Sequence, residues 1–116
     1  MKRVLVALAL MCLAVGSAHA EMTTKAFLDE YNGATTENDQ FLWKLYLNGL
    51  YQGMGWTNSA VKQSGGKPLF CEPPKQSMTV ERAFSILSGY ARGNPKSGEY
   101  PVALSLLLAL KDTYPC

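Results

Sequence analysis

The sequence contains a single histidine, His19, and it lies in an N-terminal segment that we expect to be removed. Nucleophilic sites of the Ser-His-Asp and Cys-His kinds use an imidazole as base, so residues 21–116 cannot build them. A zinc site would also lack imidazole ligands. We therefore expect a protein that is not an enzyme, with no catalytic residue, metal or cofactor.

Carboxylate pairs are scarce as well. Asp29 with Glu30 and Glu37 with Asp39 are the available acid-base pairs. Neighbouring side chains diverge on a helix, and the second pair lies where a helix N-terminus favours negative charge. Neither pair indicates a glycosidase.

No hydrophobic run is long enough to span a bilayer. The longest, Val4 to Val15, follows Lys2 and Arg3 and precedes the small residues around Ala18 and Ala20, whereas a spanning helix needs about 20 apolar residues. This order is typical of a cleaved secretory signal. We predict a signal peptide at 1–20 cut after Ala20, a single domain at 21–116, and a secreted, periplasmic protein.

Residues 21–116 also lack an excess of charge of either sign, with nine Lys plus Arg and nine Asp plus Glu. Binding to nucleic acid or to an anionic membrane surface requires a basic surplus. We therefore expect neither partner, and instead a protein partner.

Cysteine is rare: Cys71 and Cys116 remain once Cys12 leaves with the signal peptide. An even number of cysteines without metal-ligand spacing, in an oxidising compartment, indicates a disulfide. Closing a loop of about 45 residues would stabilise the fold by about 4 kcal/mol.

Apolar periodicity predicts an all-α fold, a small four-helix domain with one disulfide and a long loop between helices two and three. No strand pattern or internal repeat is present. The predicted helices cover residues 23–32, 41–55 with a capping signal at Thr36, 80–92 after Thr79, and 102–112 after Pro101. The last two should pack antiparallel, which would bring Cys71 beside Cys116.

The second helix is apolar over more than half of its circumference. It is therefore either the central helix of the domain or one that also contacts a second subunit. Gly49 and Gly53, one turn apart in the apolar arc, would let another backbone approach closely. We expect a contact in the core, with a dimer seam as the alternative.

Residues 57–77 lack periodicity and form the predicted long loop. A loop of this length is compatible with both an ordered functional segment and a disordered one. Aromatic residues at loop edges beside lysines can either close a loop onto the core or anchor a partner protein. The candidate partner-binding residues are Trp56, Lys62, Lys67, Phe70, Lys96 and Tyr100.

The C-terminal half resembles the Rap/Tai family of type VI secretion immunity proteins. The residues that carry this resemblance are Cys71, Pro73, Thr79, Tyr90, Asn94, Pro95, Pro101, Ala103, Ala109, Leu110 and the ending Tyr114-Pro115-Cys116. The resemblance implies an exported helical protein, often a homodimer, that binds and blocks a peptidoglycan amidase toxin.

Two other functions are compatible with an exported helical protein. One is a small periplasmic chaperone of the acid-stress type, although no histidine switch exists in residues 21–116. The other is a structural subunit of an envelope complex.

Overall fold

A computed structural model describes residues 21–75 and 78–116. The predicted signal peptide, 1–20, lies outside the described residues. Within them the chain forms four α-helices and a short 3₁₀ helix: α1 (Thr24–Gly33), α2 (Glu37–Gln63), α3 (Val80–Gly93), the 3₁₀ helix (Pro95–Glu99) and α4 (Val102–Thr113). The all-α prediction is confirmed.

Threonine caps begin the first three helices. The hydroxyls of Thr23, Thr36 and Thr79 accept hydrogen bonds from the backbone N–H groups of Ala26, Asp39 and Arg82. Each cap satisfies a backbone donor that the first helical turn leaves unpaired. The starts of α1, α2 and α3 are therefore set by local sequence.

The prediction of a loop is wrong for residues 57–63, because α2 continues to Gln63. Residues 57–63 contain no glycine or proline, and the Thr57 hydroxyl donates to the Gly53 carbonyl at 2.8 Å within the helix. The helix stops where Gly65 adopts a positive φ of 81° and Gly66 N–H donates to the Val61 carbonyl. This is a Schellman ending, which favours glycine at the left-handed position.

The start of α3 lies beside the end of α4, as the antiparallel prediction requires. Arg82 Nε donates to the Tyr114 hydroxyl at 2.9 Å, and a disulfide joins Cys71 to Cys116 with their Cα atoms 4.9 Å apart. The connection between the two helices contains the 3₁₀ helix.

The core lies where α2, α3 and α4 meet, and α1 closes it. Its buried hydrophobic side chains are Phe27, Leu47, Phe70, Ala83, Leu87, Val102, Leu106, Ala109, Leu110 and Tyr114. An aromatic group extends it between α1, α2 and α3, with the rings of Tyr31 and Phe84 stacked at 4.0 Å.

Hydrogen bonds attach α1 to the start of α4. Thr24 N–H donates to the Tyr100 carbonyl and Val102 N–H to the Met22 carbonyl. The buried hydroxyls of Thr24 and Ser105 are 2.7 Å apart. These pairs satisfy polar groups that burial would otherwise destabilise.

The outer side of α2 does not contact the core. Phe41, Leu42 and Leu45 are 60%, 53% and 54% exposed, and a Cβ added to Gly49 or Gly53 would meet no atom within 4 Å. The expected core contact of these glycines is therefore wrong, because the domain packs against the opposite side of the helix, where Leu47 is buried.

Candidate functional site

An open groove of about 670 Å³ lies between the second half of α2 and residues 68–74. The helix contributes Tyr51, Trp56 and Lys62 to its wall, and the following segment contributes Phe70 and Glu72. The groove exists because the chain reverses at Gly65 and runs back along the helix that it has just left.

Asn58 holds the returning segment against the helix. Its side-chain amide donates to the Phe70 carbonyl at 2.7 Å, and its oxygen accepts from Leu69 N–H at 2.6 Å. These two bonds satisfy the Phe70 carbonyl and the Leu69 N–H, which would otherwise need a neighbouring strand or water as hydrogen-bond partner. The segment is therefore fixed although it has no regular structure.

A third hydrogen bond joins the helix to the segment. The Tyr51 hydroxyl donates to Glu72 Oε1 at 2.6 Å. Burial raises the pKa of Tyr51 well above its usual value, and the hydrogen bond to Glu72 and its negative charge raise it further. Tyr51 therefore remains a donor at neutral pH.

The far end of the segment is tied to the C-terminus. Cys71 carries the disulfide, and its N–H donates to the Tyr114 carbonyl at 2.8 Å. Between the two ties, Phe70 is only 1% exposed. Phe70 was expected to contact a partner; its ring instead anchors the segment in the core and is not available to a partner.

Trp56 and Lys62 lie on the helical continuation of α2 rather than in a loop. Trp56 is 75% exposed at the edge of the groove. Lys67 is also exposed, and it precedes Pro68, a lining residue. Leu69 is 42% exposed. The groove edge thus combines apolar and basic side chains on a fixed backbone.

The remaining two predicted residues belong to another region. Lys96 and Tyr100 line a separate pocket with Pro95 and Glu99 around the 3₁₀ helix. The backbone of Tyr100 helps to hold the fold together, because its carbonyl accepts a hydrogen bond from Thr24 N–H. The structure therefore brings Trp56, Lys62 and Phe70 together, with Lys67 adjacent. It places Lys96 and Tyr100 in a different region.

Sequence reasoning missed Asn58 and the Tyr51–Glu72 pair. Their partners lie 12, 11 and 21 positions further along the chain. No local pattern marks a contact across a helix end, and Asn58 was placed in a loop. The cap-like composition of residues 64–66 was the available signal that the chain reverses there.

The groove carries charged groups that can bind a partner. Its acidic group, Glu72, is paired with Tyr51, and Lys62 is exposed at its side. Over residues 21–75 and 78–116, no three His, Cys, Asp or Glu side chains cluster to hold a metal ion. Within the same ranges, no helix has the length and apolar content to cross a membrane.

Comparisons with family models, curated proteins and solved structures gave no match to this chain.

Proposed function

We propose that the protein is a periplasmic inhibitor that binds a peptidoglycan amidase effector and blocks its active-site cleft. The observation that carries the proposal is the fixed segment from Gly65 to Cys71, which presents exposed side chains beside Trp56. The partner's class comes from the resemblance of roughly residues 40–116 to the Rap/Tai immunity proteins. The disulfide is in keeping with an oxidising compartment.

A fixed segment favours tight binding. Ordering a flexible loop on association costs about 0.5–1.5 kcal/mol for each immobilised side chain. Here Asn58, buried Phe70 and the Cys71–Cys116 bridge already hold the backbone. An inhibitor must remain bound while the toxin is present, so this preorganisation suits the proposed role.

Exposed side chains at the groove edge supply the contact. A tryptophan buried at an interface contributes large area at low entropic cost, and such residues often dominate binding energy. Trp56 and Leu69 provide apolar surface, while Lys62 and Lys67 provide positive charge. Residues 66–69 carry Lys67 and Leu69 and are the part that would contact the cleft.

The test is inhibition of a purified amidase effector encoded beside this chain, with affinity measured by calorimetry. Trp56→Ala should weaken binding by about 2–4 kcal/mol, roughly 30- to 1000-fold, and Lys67→Glu should slow association. Lys96→Glu is the matched control, because it makes the same charge change at the separate pocket. We expect it to bind normally.

The proposal fails if no neighbouring hydrolase is retained and cells expressing that hydrolase are not protected. Equal losses in Trp56→Ala and Lys96→Glu would place the interface elsewhere.

A chaperone of the acid-stress type is the second candidate, favoured by the exposed apolar side of α2 around Phe41 and Leu45. It should suppress aggregation of an acid-stressed client protein, followed by light scattering. Suppression without amidase binding would favour the chaperone.

A further inference from the structure

The groove between α2 and residues 68–74 is concave, and contacts at its edge alone leave it unfilled. Its helical wall runs from Tyr51 to Lys62, which is about 16 Å at 1.5 Å of rise per residue. The opposite wall is formed by Pro68, Phe70 and Pro74. A partner that covers the groove therefore needs a projecting element to displace its water.

The dimensions of the groove fit an extended chain. At about 3.3 Å per residue, an extended segment along the helical wall has about five residues. Strand and sheet spacings of about 4.8 Å and 10 Å give about 160 Å³ for each extended residue, so the volume of about 670 Å³ holds about four. A helix of the same length, about 10–12 Å across, would need roughly twice that volume.

The charge on the groove walls is mostly positive. Residues 51–75 contain three lysines and a single acidic residue, Glu72. The lysines are Lys62, Lys67 and Lys75; all are exposed, and none forms an ion pair within residues 21–75 and 78–116. Glu72 already accepts a hydrogen bond from Tyr51. An occupant that carries carboxylates would therefore meet unpaired cations.

An apolar position lies in the middle of the helical wall. Trp56 is 75% exposed, and the neighbouring Gly55 also lines the groove. A Cβ on Gly55 would meet no atom within 4 Å. The bare backbone at Gly55 thus leaves room for an apolar side chain to lie against the indole ring.

Polar side chains on the same wall can bind a backbone. Gln52 and Ser59 line the groove and are exposed. The N–H and C=O groups of an extended chain need hydrogen-bond partners once they leave water. An amide and a hydroxyl can each donate and accept, so these two residues can pair with backbone groups of either kind.

We propose that the groove binds an extended acidic segment of a partner protein, with an apolar side chain beside Trp56 and carboxylates against Lys62 and Lys67. The inference deepens the proposed function, on which it rests for the identity of the partner: the segment belongs to the rim of the amidase cleft. Residues 66–69 then contact the cleft while its rim fills the groove.

The experiment is fluorescence anisotropy of labelled, end-capped pentapeptides that are titrated with the full secreted chain at low salt. A peptide that alternates leucine with glutamate should bind with a Kd below about 1 mM. Replacing each glutamate with glutamine should weaken binding at least fivefold, because the charge is lost. An all-glutamate peptide should also bind at least fivefold more weakly, because it has no apolar side chain for Trp56.

Variants of the groove locate the bound peptide. Lys62→Glu should weaken binding at least tenfold because repulsion replaces attraction. Gly55→Leu should have the same effect because it fills the space beside Trp56. Lys96→Glu makes the same charge change at the separate pocket. Gly49→Leu makes the same size change on α2 outside the groove lining, where a Cβ also meets no atom within 4 Å. Both controls should bind normally, and circular dichroism with urea unfolding verifies that each variant is folded.

Three results would overturn the inference: equal binding of the glutamate and glutamine peptides, equal losses in a groove variant and its control, or no binding at about 1 mM peptide. Groove binding of phosphatidylglycerol vesicles or of soluble glycan fragments in place of the peptide would also overturn it.

The inference and the proposed function fail in different ways. Peptide binding without inhibition of the amidase would remove the proposed function and support the groove assignment. Inhibition that persists unchanged in Lys62→Glu and Gly55→Leu would support the proposed function and overturn the inference.

Discussion

Asn58 joins α2 to a part of the chain that no local sequence pattern connects with it. Replacing it with alanine leaves the Phe70 carbonyl and Leu69 N–H without their partner. We predict that Asn58→Ala lowers the free energy of unfolding by about 1–3 kcal/mol in urea titrations and exposes residues 66–70 to limited proteolysis. Ser59→Ala, next along the groove, should change stability by less than about 0.5 kcal/mol. Equal stabilities for the two variants would contradict this assignment.

Tyr51 makes stability depend on pH in the alkaline range. Its pKa is raised in the folded chain by burial and by Glu72, while a tyrosine in the unfolded chain titrates near 10. Above about pH 10 the unfolded chain has lost a proton that the folded chain keeps, so the free energy of unfolding falls as pH rises. Below that pH this contribution is fully present.

Tyr51→Phe should therefore reduce the alkaline slope, measured by urea unfolding between about pH 9 and pH 11. Burial also raises the pKa of Tyr31 and Tyr46, so a smaller slope should remain. The same slope in the wild type and the variant would show that Tyr51 is not responsible.

The sequence predicts the exposure of some residues better than that of others. Trp56 and Lys62 were named as candidate partner-binding residues, and both are exposed, although on a helix. Phe70 was misplaced because an aromatic residue in a Pro- and Gly-rich stretch has the same local pattern whether its ring points outward or is buried. Its burial depends on contacts between distant parts of the chain that were not predicted, such as the Asn58 amide bonded to the Phe70 carbonyl and Cys71 N–H bonded to the Tyr114 carbonyl.

The end of α2 depends on two consecutive glycines with different requirements. Gly65 supplies the positive φ, whereas a Cβ on Gly66 would lie 2.9 Å from Val61 Cγ1 and 3.1 Å from the Val61 carbonyl oxygen. We predict that Gly66→Ala destabilises the fold by about 1–3 kcal/mol in thermal unfolding. Gly89→Ala in α3, where the nearest atom is 3.8 Å away, should stabilise by about 0.5–1 kcal/mol. The opposite sign for either change would contradict the packing described.

Helix starts were predictable and the end of α2 was not. A threonine cap bonds to a residue three positions further along, so the local sequence at Thr36 and Thr79 is enough to predict where these helices begin. Residues 57–63 have weak helical propensity and no breaker, and the Asn58 bonds stabilise the extra turns from outside the helix. Exposure of the outer side of α2 was also undecided, because an apolar arc shows that a helix needs contacts but does not show which partner provides them.

At the scale of the whole molecule, the disulfide encloses α3, the 3₁₀ helix and α4 in one covalent loop with a sequence separation of 45. The groove belongs to this loop on one side and to α2 on the other. Removing the bridge should therefore weaken both the fold and the groove.

We predict that the double variant Cys71→Ser with Cys116→Ser loses about 4 kcal/mol of unfolding free energy, as does the wild type in reductant. Where the variant remains folded, its segment 66–71 is held by Asn58 and Phe70 alone, so amidase binding should weaken by tenfold or more. Urea unfolding and calorimetry on one sample set measure both quantities. Unchanged amidase binding in the folded variant would show that the bridge does not preorganise the groove.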